Sequence, residues 1–482
     1  MTEADAVVVG AGPNGLAAAL TLARAGLTVA VFEGAPEPGG GCRTAALTLP
    51  GFAHDVCAAV HPFAAISPFF RSLDLSGRGA ALLTPEVAVA HPLDAGRGSA
   101  ISGSVAQTAS RLGADASAYR RLMEPLVRDS DAIMALALAP LRSVPGELIP
   151  AARFGVQGLL PARLLAGRLR TAAGRALLAG AAAHSLRPLS APLTGAFGLV
   201  LMVAAHTTGW PLVQGGSGRL VAAMTAELAA LGGTVTTGAW IDRLGQLPRA
   251  KAVLLDVTPL QFLAMAGDRL PAGYRRAMRR FRYGPGVCKV DWALDGPVPW
   301  QYESCRGAGT VHVGGTIAEI ARSEAEVTAG RHPDRPFCLV VQPGVVDGSR
   351  APGGRQALWG YCHVPSGSQA DMSSRIEAQI ERFAPGFRRL ILARSVKTAA
   401  DMARANPGYV GGDIAAGAST LRQVIAGPAL RWNPYRTPLA GVYLCSASTP
   451  PGAGVHGMCG LWAARAALRD LHLEPAGASG VP

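Results

Sequence analysis

The chain opens on four consecutive apolar residues, Ala6-Val-Val-Val9. A short run with no polar alternation predicts a parallel strand buried on both faces. Gly10-Ala-Gly12-Pro-Asn-Gly15 interrupts it, and an alanine- and leucine-rich stretch from Leu16 to Ala25 follows, closed by Gly26. That stretch predicts a helix with a glycine stop. Leu27 to Phe32 is apolar again and predicts a second strand, ending at Glu33. Further short strands are expected around Val235, over Ala252 to Val257, and over Gly441 to Cys445, the last leading through a glycine-rich loop into a helix from Leu461 to Leu471. Between these pieces lie two insertions. The first, from about Leu83 to Thr208, is helical in pattern; the second, from about Pro271 to Ala399, contains strand patterns such as Val287 to Leu294. The most apolar run, Leu193 to Ala205, is shorter than the ~20 residues needed to span a bilayer and predicts a buried segment.

Strand, glycine turn, helix and strand, with a carboxylate 18 residues beyond the last glycine, form a dinucleotide-binding unit. Gly10 permits the tight turn, Gly12 leaves room for a pyrophosphate, and Gly15 lets helix and strand approach closely. The helix N-terminus offers free N–H groups to the phosphates, and Glu33 can accept hydrogen bonds from a ribose hydroxyl. A second glycine turn, Gly39-Gly40-Gly-Cys-Arg43-Thr44, comes directly after, as expected for backbone wrapped around a longer cofactor.

Composition narrows the class. With 49% hydrophobic and 16% charged residues in 482, the chain can bury a large core and is not disordered. The net charge is +13, yet the basic residues include only three lysines, Lys251, Lys289 and Lys397. The rest are arginines, in a chain also rich in alanine, glycine and proline, as a biased codon usage would give. No basic run interleaves with aromatics, so a nucleic-acid partner is not expected. Arginines do cluster among leucines between Leu141 and Arg187 (Arg142, Arg153, Arg163, Arg168, Arg170, Arg175 and Arg187, against the single acid Glu147). This is either a solvated helix face or a surface able to touch lipid peripherally. The eight cysteines show no CxxC pair or metal-ligand spacing, so no metal is expected. The first strand begins close to Met1, leaving no room for a signal peptide, and a cytoplasmic location is expected. The small, polar tail from Glu474 to Pro482 should be loose.

The dinucleotide fingerprint, its acid, the Gly-Gly doublet with Arg43, and Gly51-Phe-Ala-His-Asp55 together resemble FAD proteins of the glutathione reductase-like superfamily, in their amine oxidase and phytoene desaturase branch. The C-terminal stretch Gly452-Ala-Gly454-Val455-His456-Gly-Met458-Cys-Gly460 resembles the broad phytoene desaturase-like oxidoreductase group. It departs from the Gly-Ala-Gly-Thr-His-Pro of the bacterial carotene desaturases by reading Ser446-Ala-Ser448-Thr-Pro450-Pro. The resemblance implies an α/β fold in which a Rossmann-type FAD-binding domain (1–82, 209–270 and 400–482) is interleaved with an α+β substrate domain (83–208 and 271–399). It implies FAD contacts from Gly10, Gly12, Gly15, Glu33, Gly39, Gly40, Arg43 and Thr44, with Val235 near the adenine and Gly454, Val455, His456 and Met458 returning to the flavin ring.

Flavin chemistry needs few side chains. Three are candidates. Lys289 lies in Tyr283-Gly-Pro-Gly-Val-Cys-Lys-Val-Asp-Trp292, which resembles the amine oxidase strand whose lysine holds a water beside flavin N5. Strand alternation also puts Lys289 and Asp291 on one face, where they could form a plain exposed ion pair. His456 could act as acid, base or donor, or matter only through its backbone. His61 could face the substrate or simply pack in the core. Tyr361 and His363 carry the same alternatives. The expected reaction is hydride abstraction from a C–H bond of an apolar small molecule, lipid-, terpene- or polyketide-like, with oxygen or a quinone as electron acceptor. Amine oxidation, redox-neutral isomerisation and non-catalytic lipid carriage are the alternatives.

Overall fold

The computed structural model describes residues 4–140 and 146–473. Arg142 and the tail from Glu474 therefore lie outside the described residues. Five short parallel strands form the first sheet, in the order Val442–Leu444, Ala252–Leu255, Ala6–Val9, Val29–Phe32, Thr234–Thr236. Ala6–Val9 is central and wholly buried, as its unbroken apolar run requires. The first helix spans Pro13–Arg24, three residues earlier than the periodicity predicts. Proline is preset for the first helical turn, where its missing N–H costs nothing. This helix packs on Met458–Asp470, and the two approach so closely that a Cβ at Gly460 would lie 1.9 Å from the Asn14 carbonyl oxygen. Gly15 is bound the same way, its missing Cβ 2.0 Å from the Gly10 carbonyl oxygen.

A second sheet of seven strands runs in the order Ile391–Lys397, Gly286–Leu294, Gln356–Val364, Cys338–Val341, Ala308–Val313, Val87–Pro92, Gly98–Ser102. All its pairings are antiparallel except that of Ala308–Val313 with Val87–Pro92. The first insertion is thus not helical throughout. It begins with the hairpin Val87–Ser102, whose alternation is masked because both faces of Val87–Pro92 are buried. Helices follow, among them Leu148–Gly158, Ala172–Ala183 and Thr194–Thr207. The last holds the most apolar run of the chain and is buried over most of its length. Among the described residues no helix is long and apolar enough to cross a membrane. One face of the large sheet packs Trp292, Leu358 and Val340 against Ile376, Ile380 and Phe383 of the helix Ser373–Phe383. The other face presents Thr310, Leu339, Trp359 and Tyr361 to a cavity.

Candidate active site

A single cavity of about 1050 Å³ runs from the first glycine turn to the large sheet. Pockets for one drug-sized ligand span about 300–1,000 Å³, so the space reaches the top of that range and suits an extended ligand.

At one end lie Gly10, Gly12 and Glu33, with Trp240 standing over Gly34. The Glu33 carboxylate accepts backbone N–H groups from Ala11 at 2.7 Å and Ala35 at 2.8 Å. It therefore braces the turn while keeping lone pairs for a ligand. Asp256, directly after the strand Ala252–Leu255, accepts the Gly15 N–H at 2.9 Å, and its Oδ2 lies 3.0 Å from the point a Gly12 Cβ would occupy. Burial, helped by the nearby Glu33 charge and opposed by the Gly15 hydrogen bond, pushes its carboxyl up to about 7. Sequence reasoning passed over Asp256, although an acid capping an all-apolar strand is itself a signal.

Gly40, Gly41, Cys42 and Arg43 line the middle of the cavity with Cys57, His61 and the loop Gly454–His456. The Tyr409 hydroxyl stands over Gly41 and hydrogen-bonds the Cys57 thiol. Cys42 and Cys57 are both buried, with free thiols. His61 is buried in this wall with both ring nitrogens unpartnered, and burial lowers its pKa to about 4. Asn14 Oδ1, Thr310 Oγ1 and Trp359 Nε1 line the same cavity and are likewise without partners. Unsatisfied buried polar groups are costly and call for a ligand or ordered water.

Several expected residues serve the scaffold instead. His456 takes the Met458 N–H on Nδ1 at 3.0 Å and directs Nε2 to the Gly452 carbonyl at 3.1 Å. Both nitrogens are thus engaged by backbone groups, and burial lowers its pKa to about 4, so the imidazole is neutral. Met458 is buried in the first turn of its helix and, like Val235 on the edge strand Thr234–Thr236, does not line the cavity. Thr44 hydrogen-bonds Asp55 and Gly218, also behind the wall. Asp55 itself accepts from Ser217, which precedes the helix Gly218–Ala230, and pairs at 2.6 Å with the buried Arg350, so the Gly-Phe-Ala-His-Asp stretch is tied to both. Gly39, at φ +132, donates to the Ala11 carbonyl and sets the second turn.

Lys289 and Asp291 share a strand face and form an ion pair, but it is buried, not exposed: only 2% and 1% of the side chains are accessible. The lysine is on the sheet face of Trp359 and Tyr361, cross-strand from Tyr361, but is not itself in the cavity lining; the Trp359 ring centroid is 5.7 Å from Nζ. Burial raises the Asp291 carboxyl, with the Lys289 charge opposing. Tyr361 lines the cavity in edge contact with Trp359, whereas His363 turns away to hydrogen-bond Glu324 at 2.8 Å. The remaining chamber wall, Leu136, Leu138, Phe154, Leu159, Phe197 and Leu201, is apolar. Tryptophan 210 and His184 complete it, and nothing in their local sequence marked either.

A glycine-turn sheet joined through one cavity to an apolar chamber is the architecture of a dinucleotide-dependent oxidoreductase. Residues 8–73 match the family of the NAD(P)-binding Rossmann-like domain. The chain is 27% identical to the rat pyridine nucleotide-disulfide oxidoreductase domain-containing protein 2, over 97% of this chain and 94% of the rat protein. It shares its fold with putrescine oxidase solved with putrescine bound, at a TM-score of 0.59 and 18% identity, covering 98% of this chain and 99% of the oxidase. Cyclohexylamine oxidase from Brevibacterium oxydans has the same fold, at a TM-score of 0.58 and 15% identity, covering 98% of this chain and all of the oxidase.

Proposed function

We propose that the protein is an FAD-dependent oxidoreductase, a desaturase or dehydrogenase that takes hydride from a C–H bond of an apolar small molecule. The observation that carries this reading is the continuity of the cavity from the Gly10–Gly15 turn to the apolar chamber, with the unpartnered polar atoms of Asn14 and His61 along it. These residues fit the cofactor. The open helix N-terminus and Gly12 suit a pyrophosphate, Glu33 a ribose, and Trp240, 55% exposed beside Gly34, the adenine face. Bound FAD supplies hydride acceptance at its flavin ring. The chain's own part is to bind and orient the substrate. The leucines and phenylalanines exclude water, and His61 offers a neutral imidazole that can accept or donate one proton. Oxygen or a quinone would reoxidise the enzyme. Purified protein should be yellow, and anaerobic addition of candidate lipids, terpenes or polyketides should bleach the flavin band. A colourless protein that takes up no added FAD would overturn the reading.

Amine oxidation is the second reading, favoured by the Trp359–Tyr361 pair on the chamber wall. Peroxide release with alkylamines, but not with the corresponding hydrocarbons, would select it.

Substrate would enter from a lipid surface. The helix Leu148–Gly158 lines the chamber with Phe154 and exposes Ile149 (74%) and Val156 (69%) on its far side. The segment carrying Val424, also in the cavity wall, exposes Leu430 (74%) and Trp432 (85%). Large apolar side chains beside arginines such as Arg153 and Arg168 suit an interface bearing anionic headgroups.

A further inference from the structure

At the far end of the chamber three histidines stand in a row, His91 and His312 buried and His184 half-buried. His184, after the helix Ala172–Ala183, lines the cavity. Its Nε2 meets Nε2 of His312 at 2.9 Å. His312 and His91 then turn their Nδ1 atoms toward one small space: a Cβ on Gly180 would lie 2.6 Å from the first and 2.9 Å from the second. Neither Nδ1 has a partner. His91 Nε2 contacts the Gly315 carbonyl at 2.7 Å.

The tautomers follow from the end of the row. A carbonyl only accepts, so His91 carries its proton on Nε2 and leaves a lone pair on Nδ1. If His312 also left Nδ1 bare, two desolvated lone pairs would face the same space, which is unfavourable. A proton on His312 Nδ1 instead turns a positive N–H toward the His91 lone pair, short of a direct hydrogen bond, and leaves His312 Nε2 as acceptor. His184 must then donate from Nε2, and its Nδ1 is a bare lone pair, with no protein partner, in the chamber wall. Burial keeps the row neutral: the pKa of His184 is lowered to about 3 and that of His91 to about 4. His184 is thus an acceptor without charge. Two residues before His312, on the same strand face, Thr310 adds an unpartnered hydroxyl to the wall.

We propose that this end of the chamber is a hydroxyl-binding subsite, in which His184 Nδ1 accepts the O–H of an otherwise apolar substrate. His312 and His91 are positioning residues that fix the tautomer, and Gly180 keeps their shared space open. The inference rests on the reading above only in making the bound alcohol the molecule that is oxidised.

Binding of 1-octanol and of octyl methyl ether to the holoprotein, measured by calorimetry, tests it, since the ether has the same chain but no donor. Wild type should bind the alcohol about three- to tenfold more tightly, the range of one hydrogen bond. His184→Phe, which keeps the ring and removes the acceptor, should bring the two within twofold. In ¹⁵N-histidine spectra His184 should be protonated on Nε2 in wild type and lose that preference in His312→Phe. Equal binding of the two probes by wild type, an unchanged ratio in His184→Phe, or a proton on His184 Nδ1 would each overturn the subsite. Flavin content on the same samples reports separately on the oxidoreductase reading.

Discussion

Asp256 should make flavin retention depend on pH. Its carboxyl is buried at the N-terminus of the helix Pro13–Arg24, beside the turn expected to receive a pyrophosphate, and is held at about 7 against an ordinary 3.8. At about 1.4 kcal/mol per pH unit, ionising it inside the fold costs about 4 kcal/mol. Below pH 3.8 it is protonated whether folded or not, and there is no penalty. Between 3.8 and about 7 the unfolded chain ionises and the folded one does not, so stability falls as pH rises through that window and is flat above it. Asp256→Asn keeps an oxygen for the Gly15 N–H and cannot ionise. Its unfolding free energy from urea titration should match wild type near pH 4 and exceed it at pH 8, by up to about 4 kcal/mol. A bound pyrophosphate would raise the carboxyl further. Flavin affinity of the wild type should therefore weaken about tenfold per pH unit above 7, one proton being taken up on binding, and that of the variant should not. Flavin release followed by fluorescence from pH 6 to 9 measures this. Parallel profiles for the two proteins would refute the coupling between Asp256 and the turn.

Gly12→Val should purify without flavin, because the side chain meets Asp256 and fills the space over the turn; a full flavin complement would remove the N-terminal site. Lys289→Met should leave Asp291 buried and unpaired and cost about 3–5 kcal/mol, with slowed flavin reduction or reoxidation if the lysine acts on the ring. The double variant with Asp291→Leu should recover most of that stability, and stopped-flow rates equal to wild type in it would leave the lysine a purely structural partner. Vesicles containing phosphatidylserine should sediment the protein at low salt and release it at high salt, and Ile149→Ser with Trp432→Ser should abolish this. Equal recovery with neutral vesicles would deny the arginines a role.

The glycine turn, its flanking strand and helix, and Glu33 were legible in the sequence because they act over a span of neighbours: each residue's task is set by backbone conformation within one βαβ unit. The same locality made the strands at Ala252 and Val442 readable as apolar runs, and their positions in one parallel sheet follow from the shared need for burial on both faces. The strands Val87–Pro92 and Gly98–Ser102 escaped notice since burial on both faces erased their alternation. Asp256 and Gly15 are 241 positions apart, and the row His91, His184 and His312 draws on two strands and the turn after a helix. No local pattern encodes such meetings. Lys289 shows the division within one residue. Its alternation with Asp291 fixed that the two share a face, but whether that face met water or a core depended on which strands closed over it. His456 shows it again: the sequence supplied an imidazole in a glycine loop, and only the fold brought the Met458 N–H and the Gly452 carbonyl to its two nitrogens.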